Sequence, residues 1–278
     1  MGAPLNQVFF PSTFQELFTA WNRFPDAVPF AGGTGLIWGQ GKQTLELPRN
    51  IISLDKLTEL RRITRTERYL EIGAMVRLNE IIRLGKIVPE ALTRCLENIA
   101  GLQVRNMATI GGNICYPGRR LDCSAPLVAL DAHFELRSAQ NARWISAARF
   151  SSLPGPLGIN AQELLTRIRI PLEQWNYSVF RKFKASNPGC FGGVMVFIMK
   201  NQKNVLTDLR VVFGAQTILR DKNSEAVIIG NQLPLGHKEA NDFVEHWRTY
   251  LTALESPNVI VRAELLNFIE STISFISE

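Results

Sequence analysis

The stretch Thr109-Ile110-Gly111-Gly112-Asn113, with Asp122 a short way downstream, decides how the rest of the chain is read. Two adjacent glycines remove side chains, so backbone N–H groups come within reach of an anion. Thr109 and Asn113 flank them with side-chain donors. Asp122 adds a carboxylate suited to sugar or ribityl hydroxyls. Upstream, Ala31-Gly32-Gly33-Thr34-Gly35 repeats the same chemistry. Two separate glycine-rich turns suit the two ends of one pyrophosphate. Each alone also reads as a plain tight turn, since a lone glycine-rich match is a weak motif. Their occurrence together favours the anion reading.

Composition narrows the classes. A chain of 278 residues is long enough for a sizeable core and two or three subdomains. With 46% hydrophobic and 20% charged residues it has the balance of a soluble globular protein. No apolar run is long enough to span a bilayer, and Met1 to Phe10 lacks a basic segment followed by an apolar one. A cytoplasmic location is the expectation. Cys95, Cys115, Cys123 and Cys190 form no Cys-x-x-Cys pair, which favours reduced thiols over a disulfide frame. The same spacing argues against zinc or an iron–sulfur cluster held by this chain alone. His133, His237 and His246 are scattered, so a histidine metal site is not expected. The net charge of +6 suits an anionic ligand but forms no basic stripe of the nucleic-acid-binding kind.

Periodicity supplies the elements. Ser12 or Thr13 caps a first helix, with Gln15 and Glu16 placed for a capping box and Phe14, Leu17, Phe18 and Trp21 on one face. Short strands are predicted at Val28–Ala31, Thr44–Leu47 and Ile51–Leu54, and polar Arg61–Thr66 marks a boundary. Tyr69–Ile72 alternates as a strand; Asn79–Leu84 and Pro89–Ala100 read as helices, the second stopped by Gly101. Pro126–Leu130 reads as a short helix, and Phe134–Leu136 and Ile168–Ile170 as strands. Pro154–Gly158 is a loop. Ser178–Phe183, Val194–Met199 and Leu209–Phe213 are strands with a turn at Asn201–Asn204. Lys238–Leu254 is an amphipathic helix, Pro257 breaks it, and a last helix carries Leu265, Leu266, Ile269 and Ile273.

Phe30-Ala31-Gly32-Gly33-Thr34-Gly35-Leu36 resembles the first FAD-binding loop of the flavoprotein subunit of molybdenum hydroxylases, the xanthine dehydrogenase and carbon monoxide dehydrogenase type. Gln103 to Ile114 resembles the second loop almost residue for residue, and Asp122 with Pro126-Leu127-Val128-Ala129-Leu130-Asp131-Ala132 continues the likeness. Phe9-Phe10-Pro11-Ser12-Thr13 is similar to the family's opening. The likeness runs over about two thirds of the chain and fades after Gly193. It implies an α+β chain: a two-subdomain FAD-binding fold of the vanillyl-alcohol oxidase (PCMH) type, then a C-terminal α+β domain with a three-stranded antiparallel sheet and helices. The divisions are 1–58, 59–172 and 173–278.

The resemblance also implies a site. Gly32, Gly33 and Thr34 wrap the FAD pyrophosphate from one side, with Ala31, Gly35 and Leu36 completing that loop. Thr109, Gly111, Gly112 and Asn113 hold it from the other, and Asp122 accepts hydrogen bonds from FAD hydroxyls. Ile99 is an apolar contact, Leu165 lines the adenine or ring pocket, and Lys182 is the basic residue close to the flavin. The family's partners are a large subunit with the molybdenum cofactor and a small [2Fe–2S] subunit, with NAD+ or another acceptor downstream. The chain departs from the pattern at Gly35, where Asp is common, and across Cys115 to Leu121. Arg119 and Arg120 there read by default as solvated surface, with a place near a phosphate of FAD or of a nicotinamide cofactor as the alternative. No nucleophile–base set, paired carboxylates or metal cluster suggests a catalytic centre besides the cofactor. Two other readings stay open: a self-contained flavin oxidoreductase, and a non-catalytic scaffold on the same fold without FAD.

Overall fold

The computed structural model describes residues 7–40, 45–117, 121–152, 162–183, 193–214, 217–255 and 259–277. The chain divides into two compact units, Met1–Leu172 and Glu173–Glu278.

The first unit opens with a parallel three-stranded sheet. Strands β1 (Gln7–Phe9), β2 (Val28–Phe30) and β3 (Asn50–Ser53) lie in the order β1-β3-β2. Helix α1 (Phe14–Arg23) starts where Thr13 Oγ1 accepts the N–H of Glu16, and Glu16 Oε2 accepts the N–H of Ser12. This reciprocal bonding satisfies donors that a helix start leaves open. Its apolar face, Phe14, Leu17, Phe18 and Trp21, is buried with Ile52, Leu54 and Leu60. Helix α2 (Thr34–Gln40) follows the first glycine turn. No strand forms at Leu45–Leu47, and Thr44 lies outside the described residues. The cause is local: the Gln40 amide bonds both backbone groups of Glu46, at 2.6 and 2.9 Å, and so occupies groups that a ladder needs.

A five-stranded antiparallel sheet follows, ordered β4-β5-β8-β6-β7. Its strands are β4 (Ile63–Arg65), β5 (Tyr69–Gly73), β6 (His133–Arg137), β7 (Ala142–Ser146) and β8 (Leu164–Pro171). The polar stretch expected to be a boundary contains β4; at a sheet edge its charged side chains face water while one backbone edge pairs with β5. Around this sheet lie α3 (Leu78–Arg83), α4 (Glu90–Glu97), α5 (Leu102–Arg105), α6 (Ile110–Ile114), α7 (Ser124–Ala129) and α8 (Ala147–Ser152). Pro89 caps α4 instead of opening it, and α4 ends at Glu97, ahead of Gly101. Beyond that end, Arg105 Nη1 donates to the carbonyls of Glu97, Ile99 and Ala100 at 3.1, 2.9 and 2.7 Å. That guanidinium holds a backbone turned out of the helix, with Ala100 at φ 43°.

The second unit holds an antiparallel sheet of four strands rather than three. Strands β9 (Tyr177–Phe183), β10 (Gly193–Gln202), β11 (Val205–Gly214) and β12 (Ile218–Leu219) lie in the order β12-β11-β10-β9. The extra strand, of two residues, pairs with Phe213 and Gly214 and is too short to show a period. The β10–β11 turn puts Lys203 and Asn204 at φ 51° and 62°, the left-handed pair that a tight hairpin favours. Helix α9 (Lys222–Ala226) precedes α10 (His237–Ala253) and α11 (Val259–Ser277). Their apolar faces, with Trp247, Phe243 and Phe268 fully buried, pack on Met195, Phe197 and Phe213 of the sheet. Pro257 and the Pro154–Gly158 loop lie outside the described residues.

Candidate functional site

The Thr109–Asn113 stretch is a short helix, not an open turn. Thr109 is the N-cap of α6, and its hydroxyl accepts the N–H of Gly112 at 3.1 Å. Residues 74–78 zip onto 108–111: Leu78 N–H to Ala108 O at 2.9 Å, Ile110 N–H to Val76 O at 3.0 Å, and Gly111 N–H to Ala74 O at 2.9 Å. Arg77 and Thr109 face each other as an antiparallel bridge. Glycine is needed at 111 for packing: a Cβ there would lie 2.7 Å from the Ala74 Cβ and 2.8 Å from its carbonyl oxygen. The expectation that both glycine N–H groups face an anion is therefore corrected: that of Gly111 donates to Ala74 O and that of Gly112 to Thr109 Oγ1. Gly112 is exposed, and a Cβ there would meet only Thr109 Oγ1, at 3.0 Å. Asn113 is 9% exposed, and its Oδ1 accepts the N–H of Cys123 at 3.3 Å, tying the loop to the half-buried Asp122 turn.

The first loop lies against the second. A Cβ on Gly32 would run into the carbonyl oxygen of Met107, so only glycine allows this backbone-to-backbone approach. Gly33 has φ +69°, and the Phe30 ring stands 2.7 Å from where its Cβ would be. Ala31, Thr34, Gly35 and Leu36 are all partly buried. Gly32, Gly33 and Met107 share a cavity of about 310 Å³ with apolar walls from Phe30, Leu36 and Leu47. The charged residues on it are Asp55 and Arg77. Asp55 pairs with Arg61 at 2.5 Å.

The departure noted at Tyr116 has a structural partner. Its ring lies over Gly35, 2.8 Å from where a Cβ would be, and its hydroxyl oxygen lies too close to where a Cβ of Gly39 would be for one to fit without a shift. Trp38 meets it edge-on at 5.9 Å. The small residue at 35 and the large one at 116 fit each other, which no local pattern reveals. Of the remaining candidates, Ile99 is partly buried in the turn held by Arg105. Leu165 is 3% exposed inside β8. Lys182 is exposed on β9 of the second unit. Arg119 and Arg120 lie outside the described residues. Arg77 was missed because it carries no motif; its place follows from the bridge to Thr109.

A profile of the family described as FAD binding domain in molybdopterin dehydrogenase matches residues 4–173. The chain belongs to that family. It is an FAD-binding medium subunit of the molybdenum hydroxylase type, an oxidoreductase subunit. It is 28% identical over 230 residues to the xanthine dehydrogenase FAD-binding subunit of Escherichia coli O157:H7, covering 78% of this chain and 76% of that one. It is 28% identical over 211 residues to the carbon monoxide dehydrogenase medium chain of Hydrogenophaga pseudoflava, covering 74% and 73%. Its fold matches a chain of quinoline 2-oxidoreductase from Pseudomonas putida 86 with a TM-score of 0.80 at 22% identity, over 100% of this chain and 97% of that one. The medium subunit's described residues hold no helix long and apolar enough to cross a membrane and no cluster of His, Cys, Asp and Glu able to hold a metal.

Proposed function

We propose that this subunit is the middle of a redox relay between a [2Fe–2S] partner and a terminal acceptor. One observation carries the reading: Gly32 rests on Met107, so the first glycine loop lies against the run that leads into the second, and Gly32, Gly33 and Met107 line one cavity. At about 310 Å³ that cavity takes part of a dinucleotide, with apolar walls beside Asp55 and Arg77. The residues present fit FAD. When bound, FAD supplies the redox chemistry of the relay, passing electrons from the iron–sulfur partner to NAD+ or another acceptor.

The chain's own residues bind and orient. Gly32, Gly33 and Thr34 lie along one side of the pyrophosphate, with Ala31, Gly35 and Leu36 completing the loop. Thr109, Gly112 and Asn113 lie along the other. Thr109 still has its hydroxyl proton to donate, since its oxygen is the acceptor for Gly112. Gly111 contributes by letting the loop sit on Ala74. Asp122 accepts from FAD hydroxyls, held in place through Asn113 and Cys123. Ile99 and Leu165 are apolar contacts, and Lys182 stands near the flavin; these three roles rest on the resemblance. A large subunit with the molybdenum cofactor hydroxylates the substrate, so substrate choice lies with that partner.

The test is the visible spectrum of the purified chain before and after adding FAD. The expected result is a flavin spectrum, with FAD released on denaturation. A chain that stays colourless with added FAD, alone and with its partners present, removes the reading and leaves the scaffold.

A further inference from the structure

The glycine cavity has a charge that the loops themselves do not provide. Its charged residues are Asp55 and Arg77. Asp55 is matched by Arg61. Arg77 is exposed, and among the described residues its guanidinium forms no ion pair. Its backbone is nonetheless fixed twice. Its N–H donates to Glu80 Oε2 at 2.8 Å, and it bridges Thr109 across the zipper that seats the second loop. Arg77 therefore lines the cavity with Gly32 and Gly33 while its main chain is paired with the cap of α6. The carboxylates near it are that of Glu80, which accepts its N–H, and that of Asp55.

We infer that Arg77 is the cationic anchor for the pyrophosphate bridge of the bound dinucleotide, the charged member of a cradle whose other members are neutral. The inference rests on the FAD reading above and adds a residue to it. A planar guanidinium offers five donors in a fixed fork and spans two adjacent phosphate oxygens; such charge-assisted bonds are the strong ones. In a cavity with apolar walls the attraction is less screened than on open surface. The neutral loops shape the site and exclude side chains, and Arg77 selects a phosphate-bearing ligand over a flavin or nucleoside without one.

The experiment uses the full chain stripped of flavin. FAD and riboflavin are titrated by flavin fluorescence, and ADP and adenosine by calorimetry. Arg77→Gln is expected to weaken FAD and ADP about ten- to a hundredfold. Riboflavin and adenosine are expected to shift by less than about twofold. Arg77→Lys restores part of the loss as a point charge, and an unchanged melting temperature shows that an exposed side chain was removed without harm to the fold. If Arg77→Gln binds FAD as tightly as the unchanged chain, the inference is overturned and the FAD reading stands. If riboflavin and adenosine weaken as much as FAD and ADP, Arg77 acts on cavity shape, and the inference is again overturned. An unchanged chain that binds neither FAD nor ADP overturns both.

Discussion

Gly111 and Gly112 are neighbours with opposite duties. A methyl group on Gly111 meets the Cβ and carbonyl of Ala74, so the backbone of residues 108–111 must shift away from 74–78. Gly111→Ala is expected to cost about 1–3 kcal/mol of stability, as overpacking does. At Gly112 a methyl group meets one hydroxyl oxygen, that of Thr109 at 3.0 Å, which must give by a few tenths of an ångström, and otherwise open space. Alanine is the better helix residue by about 0.5–1 kcal/mol, so Gly112→Ala is expected to keep or slightly raise the melting temperature. On the proposed site it also puts a methyl group on the face assigned to the phosphate, so FAD affinity is expected to fall. Thermal melts and FAD titrations on the two variants check the split. A Gly112→Ala protein with full FAD affinity would move the cofactor off this face.

At the scale of elements, the exposed face of the large sheet carries its own acid sensor. Glu71 on β5 receives Arg167 at 2.9 Å and Arg169 at 2.7 Å, both from β8. Burial pushes the Glu71 carboxyl up, but the bonds and charges of the two arginines together outweigh it and hold it below its ordinary value of 4.5. A carboxyl held low in the folded state stabilises the fold fully above that ordinary value, and the contribution is lost as pH falls through the folded value. Glu71→Gln is therefore expected to lower stability at neutral pH and to flatten its decline on the acid side of 4.5. Denaturant melts across pH check this, and an unchanged acid slope would rule the pair out. Such ladders also mark where sequence reading stops. The faces of α1 and α10 were legible because 3.6-residue periodicity is local. Ile63–Arg65 was not, since an edge strand shows its charges to water. Leu45–Leu47 went the other way, its ladder groups taken by Gln40. The glycine loops were legible as a motif, yet the helix inside the second one was not, because tertiary bonds from residues 74–78 override the poor helix propensity of glycine. Arg77 and the Tyr116–Gly35 fit depend on residues far apart in the chain, and no window along it contains both partners.

For the whole molecule, the family match at 4–173 coincides with the first compact unit, and the second unit has its own sheet and core. No metal-holding cluster exists among the described residues. On the proposed relay, molybdenum and iron found with the chain are expected to sit on its partners. Isolated from cells that make the whole complex, the chain is expected to carry both metals by elemental analysis and to lose them when separated. A chain that purifies alone and turns over a substrate would favour the self-contained flavin oxidoreductase. The contact of Gly32 with Met107 also bears on what can be transplanted. A graft carrying residues 30–40 alone would leave Gly32 without the carbonyl it rests on, and one carrying 107–113 alone would lack the 74–78 strip beneath it. The portable unit is three discontinuous pieces, so an engineer must move them together, and lineages that recombine by short segments inherit the cradle whole or lose it.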